Sequence, residues 1–355
     1  MLFGILKPNR VVTDVEKVFI SVAHERGHQA YVFSAKDIDF ESRKISGITL
    51  VNNLVQERIF EFPHIIQNRL AVKTEDVEAY SKLSEIIPFT SHRVGTKQQV
   101  YDILKQEPAL KKYLIEVKKI TEFTELLAYV QQHHKVIAKP SASNQGKGIF
   151  SFEITQAGYA VRHLDQLRHC NEVEFADIFK TELHNGAGFS MSPFIISETH
   201  LGQSTVFRLH MTRGAEGKWK KIKFFPYVNL NKDIDITNGM QGALITTRET
   251  LFLEQYYPQA HTKISKEIEQ LFRVFSKHIN GLFAWPLDAL GLDLGITQSG
   301  DIYIYELNAG PGVGFMAYPV ACEQVLYYEW LAQHAQPPYK NNYLPIHLAK
   351  KQVIH

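Results

Sequence analysis

The stretch Leu290-Gly291-Leu292-Asp293-Leu294-Gly295-Ile296-Thr297-Gln298-Ser299-Gly300-Asp301-Ile302-Tyr303-Ile304-Tyr305-Glu306-Leu307-Asn308 reads as two alternating strands around a turn. With Ser299-Gly300 as a two-residue hairpin loop, Gln298 faces Asp301, and counting back along both strands sets Asp293 across from Glu306. Side chains repeat every two residues along a strand, so Asn308 shares the face of Glu306. Leu292, Leu294, Tyr303, Tyr305 and Leu307 are expected on the opposite, apolar face. Opposed carboxylates in a ladder have side-chain roots only about 4.5–5.5 Å apart and repel. A positive species between them relieves this. Two carboxylates and an amide oxygen form a hard-oxygen set suited to Mg²⁺, which takes its remaining ligands from water and phosphate oxygens. The plainer reading of such a pair alone is a solvated hairpin face. Here, however, Asn308 runs into Ala309-Gly310-Pro311-Gly312-Val313-Gly314, a chain able to approach a ligand closely. That run contains Pro311 and opens no clear helix, which excludes a dinucleotide fingerprint.

A second stretch supplies the opposite charge. Lys135–Lys139 reads as a strand that stops at Pro140, with Val136, Ile137 and Ala138 buried, so the Lys139 ammonium calls for an anion. The loop from Ser141 to Gly148 is rich in small residues. Gly146 and Gly148 leave backbone amides free to face phosphate oxygens, and Lys147 adds charge. Neither Ser nor Thr follows Lys147, and a strand, Ile149–Ile154, succeeds the loop where a Walker P-loop has a helix. Taken separately, the lysine also reads as an edge residue and the loop as a hairpin tip.

A chain of 355 residues leads to an expectation of two or three lobes around clefts. The 39 Lys and Arg against 37 Asp and Glu give a formal charge of +2, too little for wholesale neutralisation of a nucleic-acid backbone. Cys170 and Cys322 stand far apart, with no Cys or His at metal-ligand spacing, so neither a disulfide framework nor a zinc site is expected, in keeping with a reducing cytoplasm. Leu2–Leu6 reads as a first strand rather than a signal peptide, and no apolar run reaches transmembrane length. A helix over Asp14–Arg26 followed by a strand at Gln29–Ser34 is a βαβ signature. Strands are expected at Gly47–Val51, His64–Asn68, Met191–Ser197, Val206–Thr212, Trp219–Tyr227, Leu287–Ile296 and Ile302–Leu307. Helices are expected at Lys97–Lys105, Thr121–Gln132 and Thr262–Ile279. Pro88-Phe89-Thr90-Ser91 reads as a loop ending the first lobe, giving lobes over residues 1–90, 91–198 and 199–355.

A lysine at a strand end, a glycine-rich strand-to-strand loop and a distant Asp…Glu-x-Asn hairpin, in that order, resemble the ATP-grasp superfamily. More narrowly the chain resembles its YheC/YheD group of endospore-coat-associated proteins. The similar stretches are Gly95-Thr96-Lys97-Gln98-Gln99-Val100-Tyr101, Ile137-Ala138-Lys139-Pro140, Gln145-Gly146-Lys147-Gly148-Ile149, Val206-Phe207-Arg208 and Gly217-Lys218-Trp219, followed by Thr237-Asn238-Gly239-Met240-Gln241-Gly242, Gly291-Leu292-Asp293 and Glu306-Leu307-Asn308-Ala309-Gly310-Pro311-Gly312. The resemblance implies an α/β pre-ATP-grasp lobe followed by two α+β lobes that close on ATP. It implies Lys139 at the α/β phosphates, Gly146-Lys147-Gly148 over the triphosphate, and Asp293, Glu306 and Asn308 holding Mg²⁺. It further implies Arg208 at the γ-phosphate or acyl phosphate, Asn238 beside it, and backbone groups around Ser197 and Glu198 at the adenine edge. Lys97 looks like an earlier nucleotide-contacting lysine, or a surface residue starting a helix. Two departures stand out: family members tend to carry Gln near Ser197 and an acidic residue where Val206 stands.

Arg69 ends the strand at Ile65–Asn68, on the sheet edge where ligands of open α/β sheets bind. It reads equally as a substrate-carboxylate ligand, which the resemblance favours, or as a surface arginine. His133-His134 lies at a helix end, where cationic groups suit the helix dipole. Trp219 and Trp285 read as packing residues. The activity implied is an ATP-dependent ligase joining a small-molecule or peptide carboxylate to an amine through an acyl phosphate, with no nucleic-acid or membrane partner. A kinase-like phosphoryl transfer, and a coat-associated protein that binds nucleotide without ligation, stay open at this point.

Overall fold

The computed structural model describes residues 1–140, 148–163, 166–183, 189–231, 237, 242–345 and 348, Pro140 by its backbone alone. The first sheet is built around β1 (Leu2–Leu6), with α1 (Asp14–Glu25) crossing to β2 (Gln29–Phe33). Both β2 and the later β6 (Ile65–Asn68) run parallel to β1, as the βαβ pattern predicts. Between them lie β3 (Ile38–Asp39), β4 (Lys44–Val51) and β5 (Leu54–Glu61). The hairpin of β4 and β5 turns at Asn52-Asn53, both left-handed at φ 50° and 62°, the geometry a two-residue turn with right-handed strand twist requires. Helix α2 (Val77–Ile86) completes this lobe.

Thr13 and Glu16 cap α1: Thr13 donates to Glu16 Oε2 through N (2.9 Å) and Oγ1 (2.5 Å), while Lys7 and Arg69 hold Glu16 Oε1 at 3.0 and 2.8 Å. Burial alone pushes this carboxyl up, but the donors outweigh it and hold it at about 2 against an ordinary 4.5. A depressed carboxyl contributes stability that is present above pH 4.5 and lost as pH falls through 2, here about 3 kcal/mol. Glu16→Gln is accordingly expected to lower urea stability by that amount at pH 7, with the gap to the wild type closing as the pH approaches 2.

Helix α3 (Lys97–Leu104) follows, with Thr96 and Gln99 forming its capping box. The middle sheet then contains β7 (Lys118–Ile120), β8 (Lys135–Pro140), β9 (Phe150–Thr155), β10 (Gly158–His163), β11 (Gln166–Cys170) and β12 (Phe189–Pro193), in the spatial order β11-β10-β9-β8-β12-β7. Helices α4 (Phe123–His133) and α5 (Glu172–Ile178) close over Phe152, Val161 and Met191.

The last sheet has the order β15-β14-β13-β16-β17, from β13 (Thr205–Arg213), β14 (Trp219–Val228), β15 (Leu244–Ile245), β16 (Ala289–Ile296) and β17 (Ile302–Ala309). Helices α6 (Glu249–Tyr256) and α7 (His261–Leu282) bury one face, where Phe207, Leu209, Leu292 and Leu294 meet Ile268, Leu271 and Phe275. Two segments cross the lobe boundaries drawn from sequence. Val94, Val100, Leu104, Leu110 and Tyr113 pack into this last core rather than the middle one. Helix α8 (Ala317–His334) returns to the first lobe, where Val325, Tyr328 and Leu331 join Phe3 and Phe19, and Tyr343 packs with Tyr80 and Phe89.

Candidate active site

The face of the last sheet away from α7 carries two rows of side chains. Arg208 pairs with Asp293 across β13 and β16, and Asp293 pairs with Glu306 across β16 and β17. The next row is His210, Gly291 and Asn308. Neighbouring strands stand about 4.8 Å apart, so each row is a short polar ladder. Asp293 does face Glu306, but by two compensating departures from the simple count. The loop has three residues, Thr297 N donating to Asp301 O at 3.0 Å, so that Ile296 faces Ile302. A bulge at Tyr305 then restores the register, Leu294 facing Ile304 before Asp293 meets Glu306.

The bulge also moves the tyrosines. Ile302, Ile304 and Leu307 enter the core, whereas Tyr303 and Tyr305 are only partly buried. A Cβ on Gly295 would lie 2.2 Å from the Tyr305 hydroxyl, which puts that ring on the face of Asp293, opposite to the expectation. The Tyr305 hydroxyl donates to Ile195 O at 3.3 Å, and its ring lies 5.6 Å from the Lys139 ammonium. Gly295→Ala is therefore expected to cost about 1–3 kcal/mol by forcing the ring aside, read as a lower urea midpoint with an unchanged slope.

Lys139 reaches this face from β8. Burial, with Lys97 close by, pulls its ammonium down to about 8 against the opposing influence of Glu306 and Asp293. Lys97 arrives from the capped start of α3, its ammonium 3.9 Å from Glu306 Oε1. Four sequence-predicted groups thus share one neighbourhood: Lys97, Lys139, Asp293 and Glu306.

Asp293 is heavily engaged. Arg208 Nε and Nη2 donate to its two oxygens at 2.5 and 3.0 Å, and Asn308 Nδ2 donates to Oδ2 at 3.0 Å. Burial opposes the Arg208 charge, but Asp293 outweighs it and holds the guanidinium above its usual value. Arg208, whose anchoring the departure at Val206 left open, is held by the Asp293 carboxylate. Its Nη1 has no partner among the described residues. A Cβ on Gly291 would lie 3.0 Å from that nitrogen, so glycine leaves the guanidinium its space.

His210, not a candidate from sequence, is fully buried with both ring nitrogens unpartnered among the described residues. Burial, then Arg208, pushes its imidazole down to about 4. Its place two residues after Arg208 on an alternating strand was the available signal.

The hinge after β12 differs in detail from the expectation. The strand stops at Pro193, and Ser197 is buried, its hydroxyl accepting from Ile296 N at 2.9 Å and its carbonyl accepting from Thr205 N at 2.8 Å. The Glu198 carbonyl accepts from Gln298 Nε2 at 2.5 Å. Ile196, 59% exposed, is the hinge residue whose backbone makes no bond to the described residues.

Arg69 lies in the seam between the first and last lobes, paired to Glu16 and lining a cavity of about 30 Å³ with Gln67, Asp288 and Pro311. Its neighbour Leu70 comes within 3.9 Å of where a Gly310 Cβ would stand. Gly148 is left-handed at φ 77°, while Gly146, Lys147 and Asn238 lie outside the described residues.

The family model described as YheC/D like ATP-grasp matches residues 86–331. The chain belongs to this family. The YheC/D-like match takes in α3, the middle lobe, the carboxylate ribbon and most of α8. The endospore coat-associated protein YheD of Bacillus subtilis (strain 168) is 23% identical over 313 residues, covering 84% of this chain and 68% of that protein. Among solved structures, the ATP-grasp ligase PsnB complexed with minimal precursor superposes with a TM-score of 0.53 at 12% identity, over 92% of this chain and 98% of that one. N5-carboxyaminoimidazole synthetase from Staphylococcus aureus complexed with ADP gives 0.52 at 11%, over 96% and 79%. D-cycloserine synthetase DcsG gives 0.52 at 10%, over 92% and 100%. At these identities the likeness establishes the ATP-grasp fold, the α/β and α+β architecture expected from sequence.

Proposed function

We propose that this protein is an ATP-dependent ligase that activates a carboxylate as an acyl phosphate and joins it to an amine. The observation that carries the reading is the convergence of Lys97 and Lys139 on the Asp293, Glu306 and Asn308 face. A depressed, partly buried lysine facing carboxylates has the character of a site completed by an anion with its own cation.

Glu306 is the unspent ligand, with Lys97 as its nearest cation among the described residues at 3.9 Å. Asp293 accepts three hydrogen bonds, and a carboxylate has about four lone-pair sites, so it retains capacity. Two carboxylates and the Asn308 amide oxygen fit Mg²⁺. Mg²⁺ bound there would neutralise charge on the β and γ phosphates. Lys139 and Lys97 would hold the phosphate oxygens, and Arg208, fixed by Asp293, would offer Nη1 to the γ-phosphate and then to the acyl phosphate. Tyr305 would support Lys139 from below. The backbone of Ile196, with Ser197 and Glu198, would meet the adenine edge. Gly146, Lys147 and Gly148 would cover the phosphates, excluding water from the activated carboxylate, with Asn238 beside the γ-phosphate. Arg69 would bind the substrate carboxylate after exchanging Glu16.

A second reading, nucleotide binding without ligation, draws on the bidentate Arg208–Asp293 pair, which ties up two of the groups the ligase needs. One assay separates them. Incubated with Mg²⁺, ATP and a mixture of amino acids and dipeptides, the protein is expected to release ADP and phosphate together with an amide product. ATP-dependent thermal stabilisation without ADP would favour the second reading, and a stable phosphorylated product would indicate a kinase-like transfer. Lys139→Ala is expected to raise the KM for ATP at least tenfold, through a lost charge-assisted phosphate contact of about 1.5–3 kcal/mol.

A further inference from the structure

A cavity of about 440 Å³ opens beside the end of β13, between the last turns of α7 and α8, and no step proposed above uses it. Its volume falls in the range of small-molecule sites, roughly 300–1,000 Å³. Arg213 lies five residues beyond Arg208 on the same strand, roughly 17 Å along it. The chemistry of the walls is one-sided. Arg213, Lys340 and His334 line the cavity, and none of its described lining residues is acidic.

Arg213 is 8% exposed, and among the described residues its guanidinium bonds only neutral acceptors: the carbonyls of Leu287 and Gly217 and the Asn280 side chain. No carboxylate lies within ion-pair reach of it among the described residues. Asp288, the acid that acts on it from farther off, is taken by Ser91 Oγ at 2.9 Å and Ala289 N at 2.8 Å. A charge so buried is ordinarily paired. The rest of the wall is mainly apolar, with Ile279, Leu287 and Leu331 beside the rings of Phe283, Tyr327 and Trp330; Trp330 stacks on His334 at 4.7 Å and 17°, and on Tyr327 at 6.1 Å and 21°. The Trp285 indole N–H, also in the lining, is buried without an acceptor among the described residues.

We propose that this cavity is a second ligand site, distinct from the nucleotide cleft, that takes a small carboxylate carrying an aromatic ring. The ring would lie against Trp330. The carboxylate would take the free donors of Arg213 and Trp285, with Lys340 at the mouth.

All three tryptophans report on this region, Trp285 and Trp330 in the wall and Trp219 beneath the Arg213 guanidinium at 4.8 Å. The test is a titration of the full chain with phenylacetate, without nucleotide, followed by intrinsic tryptophan emission, so its outcome is independent of the ligase reading. Saturable binding is expected, at least tenfold tighter than that of phenylacetamide, which lacks the charge, and of acetate, which lacks the ring. Lys340→Gln and Trp330→Leu, each checked for folding by circular dichroism, are expected to weaken phenylacetate at least threefold. Equal affinity for phenylacetate and phenylacetamide, or no saturation up to about 10 mM, an affinity of only about 3 kcal/mol, overturns the proposal. Because the three probes compare one unmodified protein, the test stands even if a variant fails to fold.

Discussion

Glu306→Gln is expected to lower ADP formation by roughly 10²–10³-fold while leaving the fold intact, the scale lost when one preorganised electrostatic group is removed from a reacting centre. Glu306 differs here from its neighbours. It is 39% exposed, and its nearest cation among the described residues, Lys97, stands at 3.9 Å, beyond hydrogen-bond range. Gln keeps its size and removes only the charge. Urea unfolding should therefore move by less than about 0.5 kcal/mol, as for a surface substitution, while turnover collapses. Asp293→Asn should behave otherwise, because it also releases Arg208, a partly buried cation with its Nε at 2.5 Å from the carboxylate. Unchanged ADP formation in Glu306→Gln would remove the ribbon face from the reaction.

The largest stability effect is expected at Phe207. Its side chain is fully buried on the core face of β13, stacked on Phe224 at 5.3 Å and 8°, with Phe252 and Tyr257 meeting it edge-on at 6.1 and 5.8 Å. Phe207→Ala removes the ring between the sheet and α6, leaving a cavity that a sheet pinned on both sides closes only in part. The expected cost is about 3–5 kcal/mol, comparable with much of a domain's net stability. Arg208 is the next residue on the same strand, so the variant should also lose nucleotide affinity. Denaturant unfolding monitored by far-UV circular dichroism would show it, and a change below about 1 kcal/mol would mean that this core does not hold the strand.

The main outline of this fold was legible because its strands and helices alternate in clean periods. Ile264, Ile268, Leu271 and Phe275 all enter the core of α7 as their spacing requires. The pairing of Asp293 with Glu306 was legible for a less secure reason. A loop one residue longer than expected and a bulge one residue deep cancel in the count, and nothing in Ile302-Tyr303-Ile304-Tyr305 announces the bulge. Its consequence, Tyr305 beside Lys139 instead of in the core, was therefore hidden. The Asn52-Asn53 turn was readable and was missed: paired asparagines between strands suit two left-handed positions. Helix α8 escaped because it is apolar around most of its circumference, serving the first lobe with Val325 and Tyr328 while Val320 and Met316, just ahead of it, face Phe225. The Arg208–Asp293 pair depends on which strand lies beside β16. That neighbour comes from 85 residues earlier in the chain.

The most direct test of the nucleotide site is a crystal structure of the protein with Mn²⁺ and a non-hydrolysable ATP analogue, read through the anomalous signal of the metal. A peak at roughly 2.0–2.3 Å from oxygens of Glu306 and Asn308, with the analogue's phosphates against Lys139, is the predicted result. Analogue bound elsewhere, or bound with the metal remote from Glu306 and Lys139, would contradict it.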